Sequence, residues 1–277
     1  MSEGPNAGQV AYWNEAVGPT WAELQEPLDR QLGPLGRAAM AALKPRPGER
    51  ILDIGCGSGA TSVELAAAVA PDGAVLGVDI SRPLLETARA RTPGASDLTF
   101  LEADAQTATF EPGAFDAAFS RFGVMFFADP PAAFANIRRA LKPGGRLAFI
   151  CWRGMGDNPI MTLPMTAAGS FLPPPEPADP DGPGPFAFAD PARVHSILGD
   201  AGYTDIDLTP HDEKIGGGDL EAALTLALRV GPLGRMLREH PQAREPAIEA
   251  IRAALEAHNG PEGVKLDSGT WIVTARA

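Results

Sequence analysis

Along the first half of the chain, short apolar runs alternate with stretches whose apolar residues recur at helical spacing. Ile51-Leu52-Asp53-Ile54 is a run ended by glycines, and from Thr61 to Ala70 the residues Val63, Ala66, Ala67 and Ala70 fall along one side of a helix. Ala74-Val75-Leu76-Gly77-Val78 reads as a second buried strand. A helix over Pro83–Ala90 follows, with Ser81 placed to cap it and the proline in its first turn. Leu98–Leu101 and Phe115–Phe119 are further strands. Ala132–Leu141 carries Ala133, Phe134, Ile137 and Leu141 on one face, Lys142-Pro143-Gly144-Gly145 stops that helix, and Arg146–Trp152 is a fifth strand. Strands separated by single helices predict βαβ units and a parallel sheet covered by helices on both faces.

The pattern breaks after Trp152. Between Pro173 and Pro185 there are seven prolines, with Gly182 and Gly184 among them, which excludes a helix or an inner strand because proline lacks the backbone donor both require. The segment is expected to be a surface loop or a lid. Order returns with a helix over Asp190–Ala201, ended by Gly202, then a strand over Tyr203–Leu208. Helices over Leu220–Leu237 and Ala243–His258 and a last strand over Thr270–Ala275 complete seven strands in one domain. Its parts are an N-terminal helical lid segment (1–47), a ligand-binding core (48–152), a proline-rich insertion (153–189) and the remainder of the core with a helical insertion (190–277).

With 277 residues the chain is long enough to bury a core without disulfide or metal staples. Its 23 basic and 35 acidic residues leave a net charge of −12, which repels phosphate backbones and anionic lipid, so nucleic-acid and membrane partners are not expected. The start, MSEGPNAGQV, has neither the basic region nor the apolar core of a signal peptide. Cys56 and Cys151 cannot form a disulfide framework, and the four histidines show no metal-ligand spacing, so a cytoplasmic protein without a metal is expected.

Candidate chemistry gathers at the first strand–helix junction. Gly55-Cys56-Gly57-Ser58-Gly59 lets polar ligand groups approach backbone N–H groups with no Cβ in the way, and the helix after it favours a carboxylate or phosphate. Read as Gly55-x-Gly57-x-x-Ala60 with Asp79 downstream, the loop loosely fits a dinucleotide fingerprint. Against that reading, Asp53 stands where such a strand is normally apolar, the glycines alternate strictly, and Asp104 adds a further acid after the third strand. Ligands of open α/β sheets bind outside the carboxyl ends of the strands, where Asp53, Asp79 and Asp104 all fall. Three acids suit a cation bearing sugar hydroxyls and an amine-bearing base, and they would repel a pyrophosphate. Asp79 and Asp116 each have an alternative reading as turn caps.

Ile-Leu-Asp-Ile-Gly-Cys-Gly-Ser-Gly (51–59), Gly-Val-Asp-Ile-Ser (77–81), Leu-Glu-Ala-Asp-Ala (101–105), Phe-Asp-Ala-Ala-Phe-Ser (115–120) and Leu-Lys-Pro-Gly-Gly-Arg-Leu (141–147) resemble the ordered motifs of class I S-adenosylmethionine-dependent methyltransferases, in the small-molecule branch that includes the ubiquinone and menaquinone biosynthesis enzymes. The resemblance covers residues 48–152 well and 190–208 loosely. It implies a Rossmann-like, seven-stranded, mostly parallel sheet with the last strand antiparallel and a cap or lid insertion. It also implies S-adenosylmethionine as cofactor, S-adenosylhomocysteine as product, and no metal.

Carried over by position, Gly55, Cys56 and Gly57 would line the methionine moiety, whose amine would also meet the Ser120 carbonyl. Asp53 would support the loop and the ammonium, and Asp79 would accept both ribose hydroxyls. Ile80 would pack on adenine, Asp104 would accept from the adenine amine, and the Ala105 N–H would donate to the ring. Cys56 lacks a partner base in sequence and is expected to be a small loop filler rather than a nucleophile.

A sulfonium methyl is already activated, so in-line displacement needs an acceptor held close, water excluded, and a general base only for a poorly acidic acceptor. The substrate wall is expected from Tyr12, Trp13 and the cofactor-covering Trp21, from Phe122, Met125 and Phe126, and from Trp152-Arg153. Trp21 stands about where the quinone-pathway relatives carry a tyrosine. The alternative for Trp13 and Trp21 is that they anchor an amphipathic helix, and for at least two of Phe122, Met125 and Phe126 it is ordinary core packing. Arg121, Arg153 and His195 are the charged candidates, the first two for a substrate anion and His195 as a base. The expected function is methylation of O, N or C on a small aromatic or apolar metabolite by a monomer or homodimer. Alternatives are a quinone-pathway C-methyltransferase and a non-catalytic module that binds the cofactor; RNA methylation is disfavoured by the charge.

Overall fold

The computed structural model describes residues 4–174, 179 and 182–277. An N-terminal run of helices opens the chain: α1 (Ala7–Ala11) continues into a π-type turn over Tyr12–Ala16, followed by α2 (Gly18–Glu23) and α3 (Gln25–Leu43). The core then alternates through β1 (Arg50–Ile54), α4 (Ala60–Val69), β2 (Ala74–Asp79), α5 (Arg82–Arg91), β3 (Leu98–Glu102), β4 (Phe115–Arg121), α6 (Pro130–Ala140) and β5 (Leu141–Trp152). After it come α7 (Pro159–Ala168), α8 (Pro191–Asp200), β6 (Thr204–Gly218), α9 (Leu220–Arg229), α10 (Pro232–Glu239), α11 (Arg244–Glu256), β7 (Asn259–Gly260) and β8 (Gly263–Arg276).

Local chemistry sets several of these boundaries. Asp129, Asp190 and Asp219 cap α6, α8 and α9, each side chain accepting from a backbone N–H of the first turn, and prolines occupy the opening positions of α6 and α8. Ser81 precedes α5, but its hydroxyl does not cap the helix; it donates instead to the Trp13 carbonyl at 2.8 Å. Lys142–Gly145 end α6 and loop out of the pairing between β4 and β5, whose register shifts between Phe115 and Ala117. Asp116 there accepts from the Arg50 N–H and pairs with Lys142.

The sheet runs β3-β2-β1-β4-β5-β8-β6, with β7 paired to β8. The pairs from β3 through β5 are parallel, and β8 is antiparallel to both β5 and β6. This is the Rossmann-like arrangement expected, with one short strand more than the seven anticipated. Helix α3 packs against β5 and β6, while α6 packs on β5, α8 on β6, and these two helices on each other. Phe119, Phe134, Phe149 and Phe188 lie fully buried at the centre.

Beyond residue 208 the chain departs from expectation. Strand β6 does not stop at Leu208 but continues to Gly218, pairing with β8 as far as Val264. The expected helix over Leu220–Leu237 is two helices, broken at Val230-Gly231-Pro232, where Gly231 takes a φ of 85°. On the extended hairpin α7, α9, α10 and α11 build a second core from Ala168, Leu224, Leu233, Met236, Ile251 and Leu266. Leu24 and Leu28 pack on Leu226 with Trp21 and Val230 beside them, and Arg229 pairs with Glu23, which joins this helical cap to the N-terminal helices. Of the proline-rich segment Pro173–Pro185 expected as a loop or lid, residues 175–178, 180 and 181 lie outside the described residues. Among the described residues no helix is long and apolar enough to cross a membrane.

Asn158 locks α7 to the sheet: its buried amide donates to the carbonyls of Arg153, Gly154 and Gly269, and its oxygen accepts from the Gly269 N–H. Asn158→Ala strands these groups and is expected to lower stability by roughly 2–3 kcal/mol in urea unfolding.

Candidate active site

Strand β1 delivers the chain into a tight crossing. Gly55, at φ 65°, lies so near the loop after β4 that a Cβ on it would stand 2.7 Å from Gly123 Cα. Gly57, at φ 53°, is different, since an added Cβ would meet only Leu84 Cδ1, at 3.9 Å. Gly55 is therefore required by loop–loop contact, and Gly57 keeps the open side of the loop bare. Ser120, fully buried, ties the crossing together: its hydroxyl donates to the Ile54 carbonyl at 2.8 Å and accepts from the Gly123 N–H.

The register of the parallel strands sets Asp53 beside Gly77 and Asp79 beside Glu102, which brings the three acids to the carboxyl edge of the sheet. Asp53 is fully buried. Its Oδ2 accepts from Thr61 Oγ1 at 2.8 Å and Ser62 Oγ at 2.6 Å, whereas its Oδ1 has no partner among the described residues. Burial pushes its carboxyl up to about 6, against the smaller opposing pulls of those hydroxyls and of Arg121. Asp79 accepts from the Gly57 N–H and the Ser81 N–H, both at 2.8 Å, and burial raises its carboxyl too. Asp104 accepts from the Gln106 N–H, and both of its oxygens accept from Asn6 Nδ2. The Ala105 N–H makes no hydrogen bond among the described residues.

The N-terminal segment closes over these strand ends. Asn14 donates to the Ile80 carbonyl and accepts from the Arg82 N–H. Trp13 stands edge-on to Tyr12, Trp21 and Phe126, at centroid distances of 5.8, 5.4 and 5.4 Å. Phe122 takes a left-handed φ of 64°, rare for a bulky residue, and stacks on Trp152 at 4.2 Å.

Of the sequence-derived candidates, the stacked Phe122 and Trp152 are buried in the main apolar core, while the structure brings Tyr12, Trp13 and Trp21 near the strand ends that carry Gly55, Cys56, Gly57, Asp53, Asp79, Ile80, Asp104, Ala105 and Ser120. It does not bring His195 there, which is exposed on α8, a helix packed on α6 and β6. Arg121 does not present a free charge, because it pairs with Asp29, itself bound to Arg91. Arg153 is likewise held by Asp157 and Asp212. Met125 is fully buried, as core packing requires. Cys56 is buried in the loop, and desolvation, with Asp79 and Asp53 beside it, pushes its thiol well up. Sequence reasoning missed Asn6, Asn14 and Gln106; their only sequence signal is polar side chains on an otherwise apolar, aromatic segment or after an acidic strand end.

The chain belongs to the class I S-adenosylmethionine-dependent methyltransferase family. The family model described as "Methyltransferase domain" matches residues 52–149. O-methyltransferase cnsE of Penicillium expansum is 31% identical over 212 residues, covering 74% of this chain and 68% of that protein. Aklanonic acid methyltransferase DauC of Streptomyces sp. (strain C5) is 36% identical over 145 residues, covering 51% and 60%. The fold is that of the Haemonchus contortus phosphoethanolamine N-methyltransferase 2 solved with phosphomonomethylethanolamine and S-adenosylhomocysteine, at a TM-score of 0.59, 18% identity, and coverage of 96% of this chain and 59% of that one. The chain spans less than two thirds of the length of the first curated relatives it matches, 31% of one and 60% of another.

Since the folded chain favours neutral Asp53, its stability falls as pH rises from about 3.8 to about 6. Asp53→Asn removes that loss. By thermal unfolding the variant is expected to exceed the wild type by on the order of 2–3 kcal/mol at pH 7.5, with the difference vanishing towards pH 4.

Proposed function

We propose that the chain is a methyltransferase that uses S-adenosylmethionine to methylate O, N or C of a small aromatic or apolar acceptor, releasing S-adenosylhomocysteine. The observation that carries this reading is the set of three acids at adjacent strand ends, one of them a buried carboxylate with an oxygen unpaired among the described residues. The residues fit the cofactor. Asp53 Oδ1 is a buried acceptor awaiting a positive donor, Gly57 leaves its side of the loop free of side chain, and Asp79 retains lone pairs for ribose hydroxyls. The Ala105 N–H and the Asp104 carboxylate together match the acceptor and donor of an adenine edge.

S-adenosylmethionine supplies a methyl already activated by its sulfonium. What remains for this chain is to hold an acceptor in line and exclude water. The aromatic cluster of Tyr12, Trp13, Trp21 and Phe126 and the Phe122–Trp152 stack offer apolar walls for a flat or greasy acceptor. With His195 remote and Arg121 paired with Asp29, neither residue is placed to take the acceptor's proton.

Calorimetric titration tests the cofactor. S-adenosylmethionine and S-adenosylhomocysteine are expected to bind and NAD not to; NAD binding alone sinks the reading. Transfer of labelled methyl to a panel of phenols, amines and quinols tests the activity, and binding without any transfer would favour a non-catalytic module. Asp79→Ala is expected to weaken S-adenosylmethionine by roughly 1.5–3 kcal/mol with unchanged circular dichroism. Binding near pH 6 is also expected to release a proton, because a ligand ammonium lowers the Asp53 carboxyl from about 6; identical heats in buffers of different ionisation enthalpy would refute this.

A further inference from the structure

Asn6 is only 4% exposed, and both ends of its carboxamide are engaged. Nδ2 donates to the two Asp104 oxygens, each at 2.9 Å, and to Gln106 Oε1 at 3.1 Å, while Oδ1 accepts from the Ala128 N–H at 2.7 Å. Gln106 Oε1 accepts in addition from the Asp129 N–H. These partners belong to the loops after β3 and β4, so one side chain fixes the Asp104 carboxylate between two loops. Gln9 follows Asn6 by one helical turn and therefore lies on the same side of α1, with Trp13 one further turn along. Its Oε1 is buried and has no hydrogen-bond partner among the described residues. Trp13 and Asn14 then fasten the segment to Ser81, Ile80 and Arg82 after β2. The N-terminal strap thus spans the ends of β2, β3 and β4, the half of the site where the ribose and base acceptors stand.

Resting on the S-adenosylmethionine reading, we propose that this strap is a wall of the nucleoside pocket, with Asn6 a positioning residue that aims the Asp104 carboxylate at the adenine amine and Gln9 Oε1 an acceptor for a nucleoside donor. A buried carbonyl oxygen left without a donor is costly, and a ligand hydroxyl or amine relieves that cost on binding. A carboxylate held in one orientation reads the base: it accepts from the 6-amino group of adenine and repels the 6-oxo group of hypoxanthine. Freed from Asn6, Asp104 can turn away, and the distinction fades.

The test titrates the full chain with S-adenosylhomocysteine and with S-inosylhomocysteine by calorimetry. The wild type is expected to prefer the adenine ligand by roughly 10- to 100-fold, the range for a hydrogen bond to a charged group. Asn6→Ala should shrink that ratio roughly tenfold. A purely structural role would weaken both ligands alike and leave the ratio unchanged, which overturns the assignment, as does tighter S-adenosylhomocysteine binding by the variant, the mark of an Asn6 that competes for Asp104. Gln9→Leu breaks no hydrogen bond of the Oε1 and should fold as the wild type does; it is expected to bind S-adenosylhomocysteine roughly tenfold more weakly, and unchanged affinity overturns the role of Gln9. A wild type that binds neither ligand overturns the cofactor reading itself, and one that binds both equally overturns the strap inference alone.

Discussion

Two backbones meet at Gly55 and Gly123 with no room for a side chain on either, and the site depends on that contact. A Cβ on Gly123 would stand 2.8 Å from Gly55 Cα and 2.8 Å from the Ile54 carbonyl. Because the loops after β1 and β4 touch, Ser120 can bridge them with one hydroxyl, and the chain is turned so that Gly57 points its N–H at Asp79. The same crossing sends Phe122 into a left-handed conformation, and its ring repays that strain by stacking on Trp152. Loop, acceptor and aromatic wall are consequences of one close approach.

The electrostatics of the site follow from burial rather than from the net charge of −12. Asp53 is fully buried with one oxygen satisfied by two hydroxyls and the other without a partner among the described residues, an arrangement that destabilises the ion in the ligand-free chain. Arg121 stands near enough to lower its carboxyl, yet spends its own charge on Asp29, which also gathers Arg91. The two arginines near the loop, Arg91 and Arg121, are thus both committed to Asp29.

The cap is a product of the long β6–β8 hairpin. By running past Leu208 to Gly218, β6 carries the sheet beyond the Rossmann-like core and offers a platform on which α7, α9, α10 and α11 bury a second set of apolar side chains. Leu24, Leu28 and Leu226 then weld cap to N-terminal helices, which places Trp13 and Trp21 over the strand ends, while Tyr12 beside Trp13 remains exposed.

The parallel core from Arg50 to Trp152 was legible in the chain because its strands are short, mostly apolar runs, its first turn is built of glycines at positive φ, and its acids sit at the strand ends after those runs. All three are local signals, and local chemistry decides them. The length of β6 was not legible: Pro210, His211 and Asp212 are poor strand formers, and only their pairing with Trp271, Thr270 and Gly269 holds them extended. Nor could the sequence separate Arg121 and His195 from true site residues, or reveal Asn6 on Asp104, across 98 positions. Whether a polar side chain is spent on a neighbour, exposed to water or aimed at a ligand depends on which distant backbone arrives beside it. That was settled when the loops after β2, β3 and β4 closed beneath the N-terminal strap.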